Sequence, residues 1–258
     1  MSMKKYVALA AVAMLTLAGC ASPAAETAAG GDNKDMKICV YTHGDGGTFW
    51  SVFQKGAEAA AADLGVTLDY QGANNDAAKQ ASTIEAGVAA GCQGIATSVP
   101  DAEALQGPLD AAKAAGIPTV TTNSGSSAFV KLGAFTHVGQ DEVIAGEQAG
   151  LKFNAMGVKH VLCPIQEAGN VGLADRCKGL KNTFKGKAEE FNLDGGLADL
   201  TAATAKLQAA LEADKSIDAI FALNADIAAK AAMPAAEAAG VSVKIGTVDM
   251  SPEALDAI

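Results

Sequence analysis

"ICVYTHGDGGTFWSVFQKGAEAAAADLG", Ile38 to Gly65, reads as a strand, a glycine-rich turn and a helix. Phe53, Ala57, Ala60 and Leu64 recur at helical spacing and form one apolar face. The turn holds Gly44, Gly46 and Gly47 and leads into Phe49 and Trp50. Glycines between a strand and a helix serve one of two ends. They cradle a dinucleotide's phosphates, or they free the backbone to carry side chains to a cleft. Gly44-x-Gly46 meets the first half of the dinucleotide fingerprint. The third glycine would fall at position 49, where Phe stands and blocks close helix–strand packing. Neighbours on a helix point about 100° apart, so Phe49 and Trp50 cannot both follow Phe53 into the core. At least one projects toward the strand ends as an apolar wall.

The strand–turn–helix unit then repeats. "KICVYT", "VTLDYQ", "GIATSV", "IPTVTT", "THVGQ", "HVLCPI", "DAIFAL" and "VKIGTV" read as strands. Alanine-rich amphipathic helices begin near Thr48, Asp76, Asp101, Asp141, Leu173, Ala203 and Ala225. Asp or Thr stands at several N-caps, and Gly65, Gly91, Gly116 and Gly240 are the expected left-handed stops. Such alternation specifies an α/β fold of parallel sheets with helices on both faces. Ligands bind such sheets beyond the carboxyl ends of the strands. The residues there are short and polar: His43 to Asp45, Asn74 to Asp76, Ser98, Asn123 and Ser124, Gln140 and Asp141, Gln166 and Glu167, Asn224, and Asp249. The period breaks at "TTNSGSSAFVKLGAFTHVGQDE", Thr121 to Glu142, as a crossing between two sheets would. This sets a boundary near Gln140, with one lobe at 37–140 and a second at 141–258.

Several chemistries find no support. A net charge of −10 disfavours a nucleic-acid partner. No phosphate loop or serine elbow motif occurs. His43, His137 and His160 have no obvious serine or cysteine partner. A His43/His137 pair could converge in the cleft but offers a metal too few ligands, and His160 is expected at a strand edge in a surface role. Asp101 and Glu103 suit the dipole of a first helical turn. No cysteine pair has zinc-site spacing. Cys39 with Cys92, and Cys163 with Cys177, are placed either to form disulfides or to remain as buried thiols.

"MSMKKYVALAAVAMLTLAGC" has Lys4 and Lys5 before an apolar run from Tyr6 to Ala18, the pattern of a signal peptide over residues 1–20. "LAGC" resembles a bacterial lipobox, which implies cleavage before Cys20 and a lipid on its thiol. Residues 21–36 lack apolar periodicity and read as a flexible leash.

Together, "FWSVFQKGAEAAAADLGV", "DAAKQASTIEAGVAAGCQGIATSVPDAEAL", "AAKAAGIPTVTTNS", "ADRCKG", "FALNAD" and "IGTVD" resemble the sugar-binding branch of the type I periplasmic binding proteins, from Lys37 to Ile258. That resemblance implies two Rossmann-like lobes that close by a hinge on one small ligand, with no catalysis and no cofactor. It implies a monomer held outside the cell membrane, or in the periplasm, that delivers a sugar or polyol to an ABC permease. A sensory receptor and an exported enzyme are the rival uses of the same cleft. Residue by residue, Phe49 and Trp50 match an aromatic pair that sandwiches the sugar ring, and Tyr41 matches a polar residue ending the first strand. Ser98 stands where ribose binders have Asn. Asn123 and Ser124 replace an Asp-Arg pair, and Asp141 replaces an Asn. Arg176, Asn224 and Asp249 match their counterparts. His43, in the lengthened glycine turn, completes the candidate set. The family continues beyond "SPEALDAI" with a further strand, a hinge crossing and a helix, so the resemblance implies a C-terminal truncation that exposes apolar faces on both lobes.

Overall fold

A computed structural model describes residues 33–258. The expected signal peptide, Cys20 and most of the segment read as a leash lie outside the described residues. The first lobe runs β1 (Lys37–Thr42), α1 (Gly47–Leu64), β2 (Thr67–Gly72), α2 (Ala77–Ala89), β3 (Gly94–Ser98), α3 (Ala102–Ala114), β4 (Thr119–Thr122) and β5 (Thr136–Val138). These strands form one parallel sheet in the order β2-β1-β3-β4-β5. The second lobe runs α4 (Glu142–Ala155), β6 (His160–Ile165), α5 (Val171–Thr183), β7 (Lys187–Asn192), α6 (Leu200–Ala213) and β8 (Ala219–Ala222). It continues with α7 (Ala225–Ile227), a π-helical turn (Ala228–Ala232), α8 (Met233–Ala238), β9 (Lys244–Thr247) and α9 (Pro252–Asp256). Its strands pair in parallel as β7-β6-β8-β9.

Strand alternation decides which side chains meet which helices. Cys39 and Tyr41 face α2 and α3, packing with Ile84, Leu105 and Leu109. In β6, Val161 and Cys163 join Leu173, Leu180 and Phe153, whereas Leu162 joins Leu207 and Leu211 on the opposite face. Both cysteine pairs are disulfide-bonded, Cys39–Cys92 with Cα atoms 5.9 Å apart and Cys163–Cys177 with 6.1 Å. The first ties β1 to the loop between α2 and β3, and the second ties β6 to α5. Asp76, Asp101, Asp141 and Asp199 cap their helices by accepting backbone N–H groups.

Helices α4 and α5 touch backbone to backbone. A Cβ at Gly146 would collide with the Arg176 carbonyl, and one at Gly179 with the Val143 carbonyl. This contact sets Glu142, at the start of α4, beside Arg176 on α5. Strand β7, "KAEEFN", was not expected from the sequence. It lies at a sheet edge, so its charged residues meet solvent on one side. Large apolar side chains stand exposed on both lobes, among them Phe135 and Val138 on the first and Met250 and Leu255 on the second.

Candidate functional site

The carboxyl ends of both sheets face one cleft. From the first lobe His43, Gly46, Gly47, Phe49, Trp50, Asn123 and Ser124 line it. From the second come Gln166, Glu167 and Asn170 after β6, Arg176 on α5, Asn224 and Asp226 after β8, and Asp249 after β9.

The glycine turn has a steric task. A Cβ at Gly44 would overlap the Trp50 indole, and Gly47 takes a left-handed φ of 80° where α1 begins. The turn thereby folds against Trp50, which is buried and packs edge-on to His43 and Phe49, both with ring centroids at 4.9 Å. Because the Phe49 and Trp50 rings stand at 88° to each other on one helix, they form a single wall rather than the two faces of a sandwich. Leu173, Leu197 and Leu223 supply apolar surface from the other lobe.

Arg176 is 5% exposed and lies within the second lobe, not at the surface. Its Nε and Nη2 bond the two Glu142 oxygens, and Nη1 donates to the Leu223 carbonyl at 2.6 Å. Three of its five N–H donors are thus fixed and its charge is matched in place. What it offers the cleft is hydrogen-bond donation rather than a free cation.

His43 bridges the lobes. Its Nδ1 lies 2.8 Å from Ser98 Oγ, and its Nε2 lies 3.4 Å from Glu167 Oε2. The sequence showed no serine partner for this histidine, yet the structure supplies one. Serine, histidine and carboxylate in line resemble a catalytic triad. Ser98, however, is fully buried, also accepts the His43 backbone N–H at 2.8 Å, and does not border the cavity. It positions His43 and has no access to a substrate. Asn170 Nδ2 donates to Glu167 at 2.6 Å, while its Oδ1 caps α5 and lies 3.2 Å from Ser124 Oγ. Thr48, at the start of α1, donates its N–H and hydroxyl to Asp226 at 3.1 and 3.2 Å, and Lys230 joins Asp226 at 2.9 Å. The Val171 N–H meets the Pro100 carbonyl at 3.1 Å, a further bond between lobes.

The carboxylates respond differently to these surroundings. Burial opposes the charge on Glu167, but the bond and charge of His43, the Asn170 amide and Arg176 outweigh it and hold its pKa below the ordinary value. Burial also opposes Asp226, and Thr48 and Lys230 likewise keep it low. At Asp249 burial prevails and raises the pKa; Arg176 offsets this in part, and Glu142 adds to the rise. Asp249 has no ion pair among the described residues.

Besides Ser98, two candidates lie away from the cleft. Tyr41 is 1% exposed and faces α2, its hydroxyl 3.1 Å from Asp69. Alternation along β1 sends position 41 into the core, and the chain reaches the cleft only at His43. Asp141 is exposed, its carboxylate spent on the Ile144 N–H at 3.0 Å as the N-cap of α4. Its neighbour Glu142 is the buried residue that meets Arg176. Asn123 sits at φ 58°, a left-handed conformation asparagine tolerates, and Asn224 caps α7 through Oδ1 while bordering the cavity. His137 bonds Thr121 at 2.8 Å rather than meeting His43. His160 is buried, not superficial, and lies between Glu189 and Ser216 at 3.0 and 2.9 Å. Glu142, Gln166, Glu167, Asn170 and Asp226 were absent from the expected ligand set. For Gln166 and Glu167 a signal existed, since both follow a predicted strand directly.

Two parallel-sheet lobes meeting over an aromatic wall and a set of polar side chains are the architecture of a solute-binding protein. Residues 38–258 match the periplasmic binding protein domain, and the chain belongs to that family. The family and its structural relatives bind solutes outside the cytoplasm and are not enzymes. The chain is 25% identical over 231 residues to the ribose import binding protein of Bacillus subtilis, covering 88% of this chain and 74% of that one. It is 29% identical over 178 residues to the xylitol-binding protein of Mycolicibacterium smegmatis, covering 68% of this chain and 49% of the relative. A carbohydrate transporter structure from Acidothermus cellulolyticus, in complex with myo-inositol, matches with a TM-score of 0.80 at 40% identity, over 84% of this chain and 74% of that one.

Proposed function

We propose that this protein is the lipid-anchored substrate-binding component of an ABC importer, tethered through Cys20, and that its ligand is a neutral polyol of monosaccharide size. A cyclitol is favoured over ribose, because the relative at 40% identity holds myo-inositol. The observation that carries this reading is the pairing of Arg176 with Glu142 inside a cleft that also holds Glu167, Asp226 and Asp249. Such a site repels sugar acids and phosphates. It receives hydroxyl groups through the Asp249 carboxylate, the two remaining Arg176 N–H groups, Asn123 and Asn224. The apolar ring face rests on Phe49 and Trp50.

Hinge motion of the lobes 37–140 and 141–258 brings these groups together, and a permease engages the closed form. Trp50 is the only tryptophan, so its fluorescence reports on the cleft. Titration with myo-inositol, xylitol, ribose and D-allose should give a saturable change with at least one polyol. An equal response to glucuronate or a sugar phosphate would count against the neutral-ligand reading. No response in either fluorescence or thermal shift would remove the polyol assignment.

A further inference from the structure

Gln166 directly follows β6 at the floor of the cleft. Its backbone is fixed, for its carbonyl accepts the Gly195 N–H at 3.1 Å while the Ile165 carbonyl accepts that of Leu193 at 2.9 Å. Its side chain is 3% exposed and borders the cavity beside Arg176 and Asp249. Its Oε1 is buried with no hydrogen-bond partner in the protein. Among the described residues four buried side-chain atoms share that condition, and of the residues that carry them only Gln166 lines this cavity.

The polar groups around it have prior commitments. Glu142 is held by Arg176, the Asn170 and Asn224 oxygens cap helices, Glu167 takes the Asn170 amide, and Asp226 takes Thr48. Folded proteins rarely leave a buried amide oxygen unpaired without a functional reason. We infer that Gln166 is a specificity-determining residue of this site, its Oε1 accepting a hydrogen bond from one particular hydroxyl of the bound polyol. The inference rests on the polyol reading. A neutral acceptor suits this position, since another carboxylate would add to the charge of Glu167, Asp226 and Asp249. It also discriminates sharply, because an analogue lacking the matching hydroxyl leaves Oε1 unpaired again.

The test compares the purified wild type with Gln166→Met and Gln166→Leu, which keep the bulk and remove the oxygen. Calorimetry and Trp50 fluorescence measure affinity for the tightest-binding polyol of the panel and for each of its monodeoxy analogues. Both variants should melt close to the wild type without ligand and bind the parent polyol about 10- to 100-fold more weakly. That loss should vanish for one monodeoxy analogue alone, the one missing the hydroxyl that meets Oε1. Unchanged affinity in both variants overturns the inference, as does a loss of equal size for every analogue, which marks a merely structural role. If the wild type binds no polyol, the underlying reading fails before any variant is compared, and the inference falls with it.

Discussion

Arg176 and Glu142 separate what the cleft needs for stability from what it needs for binding. Both are nearly sealed from water, and each is the other's main partner. Removing one side of a buried pair strands a charge, at a cost of about 3–5 kcal/mol. Arg176→Met should therefore lower the unfolding free energy by roughly that amount in a urea titration. Adding Glu142→Leu removes the stranded carboxylate and should recover most of the loss. Polyol affinity should stay at least about 100-fold reduced in the double variant, since hydrogen bonds from a charged donor are the stronger ones. Wild-type affinity in the double variant would show that Arg176 does not touch the ligand. Arg176 was legible in the sequence through its setting in "ADRCKG", but its partner was not. Asp141 and Glu142 are adjacent acids, and only the cap geometry decides that the first faces water and the second faces Arg176. Tyr41 was misplaced for a related reason. The end of a strand marks the cleft, while the last inward side chain still belongs to the core.

At the scale of elements, the meeting of α4 and α5 holds this pair in place. Gly146 and Gly179 bring the two backbones into contact. A methyl group at Gly179 must push α4 outward, and overpacking of this kind costs about 1–3 kcal/mol. Gly179→Ala should lower the melting temperature and weaken binding together, because Glu142 then moves away from Arg176. Lower stability with unchanged affinity would mean that the site tolerates the shift. Strands and helices were readable from period and caps because each obeys local rules. The seven expected helices begin within three residues of their expected starts, and α1, α2, α3, α4 and α7 within one. Strand β7 escaped because an edge strand needs a partner on only one side and can carry Glu189 and Glu190 toward solvent. The glycine contact between α4 and α5 escaped for the opposite reason. It depends on two segments meeting in space, and neither segment alone announces it.

Across the whole molecule, closure of the lobes is tied to carboxylates. Thr48 bonds Asp226 and His43 bonds Glu167, each across the cleft. Both carboxyl groups have pKa values below the ordinary range in this closed arrangement. Opening the cleft removes His43 from Glu167 and Thr48 from Asp226, so both pKa values rise toward the ordinary carboxylate value in the open state. A group with a lower pKa when closed favours closure above its open-state value. That contribution fades as pH falls toward the closed-state value. The facing groups are His43, Asn170 and Arg176 for Glu167, and Thr48 and Lys230 for Asp226. Asp249 runs the other way, because burial raises its pKa and protonation relieves that cost as the pH falls. Its relief acts at higher pH than the loss at the other two. Affinity should therefore fall several-fold as the pH drops from neutrality through and below the ordinary carboxylate range. Small-angle scattering over the same range, with saturating ligand, should show the mean dimension increasing as the lobes part. In the double variant Glu167→Gln, Asp226→Asn the acid-induced drop should flatten, because neither amide titrates. The same drop in that variant would assign the acid response to other groups, with Asp249 the first to test by Asp249→Asn.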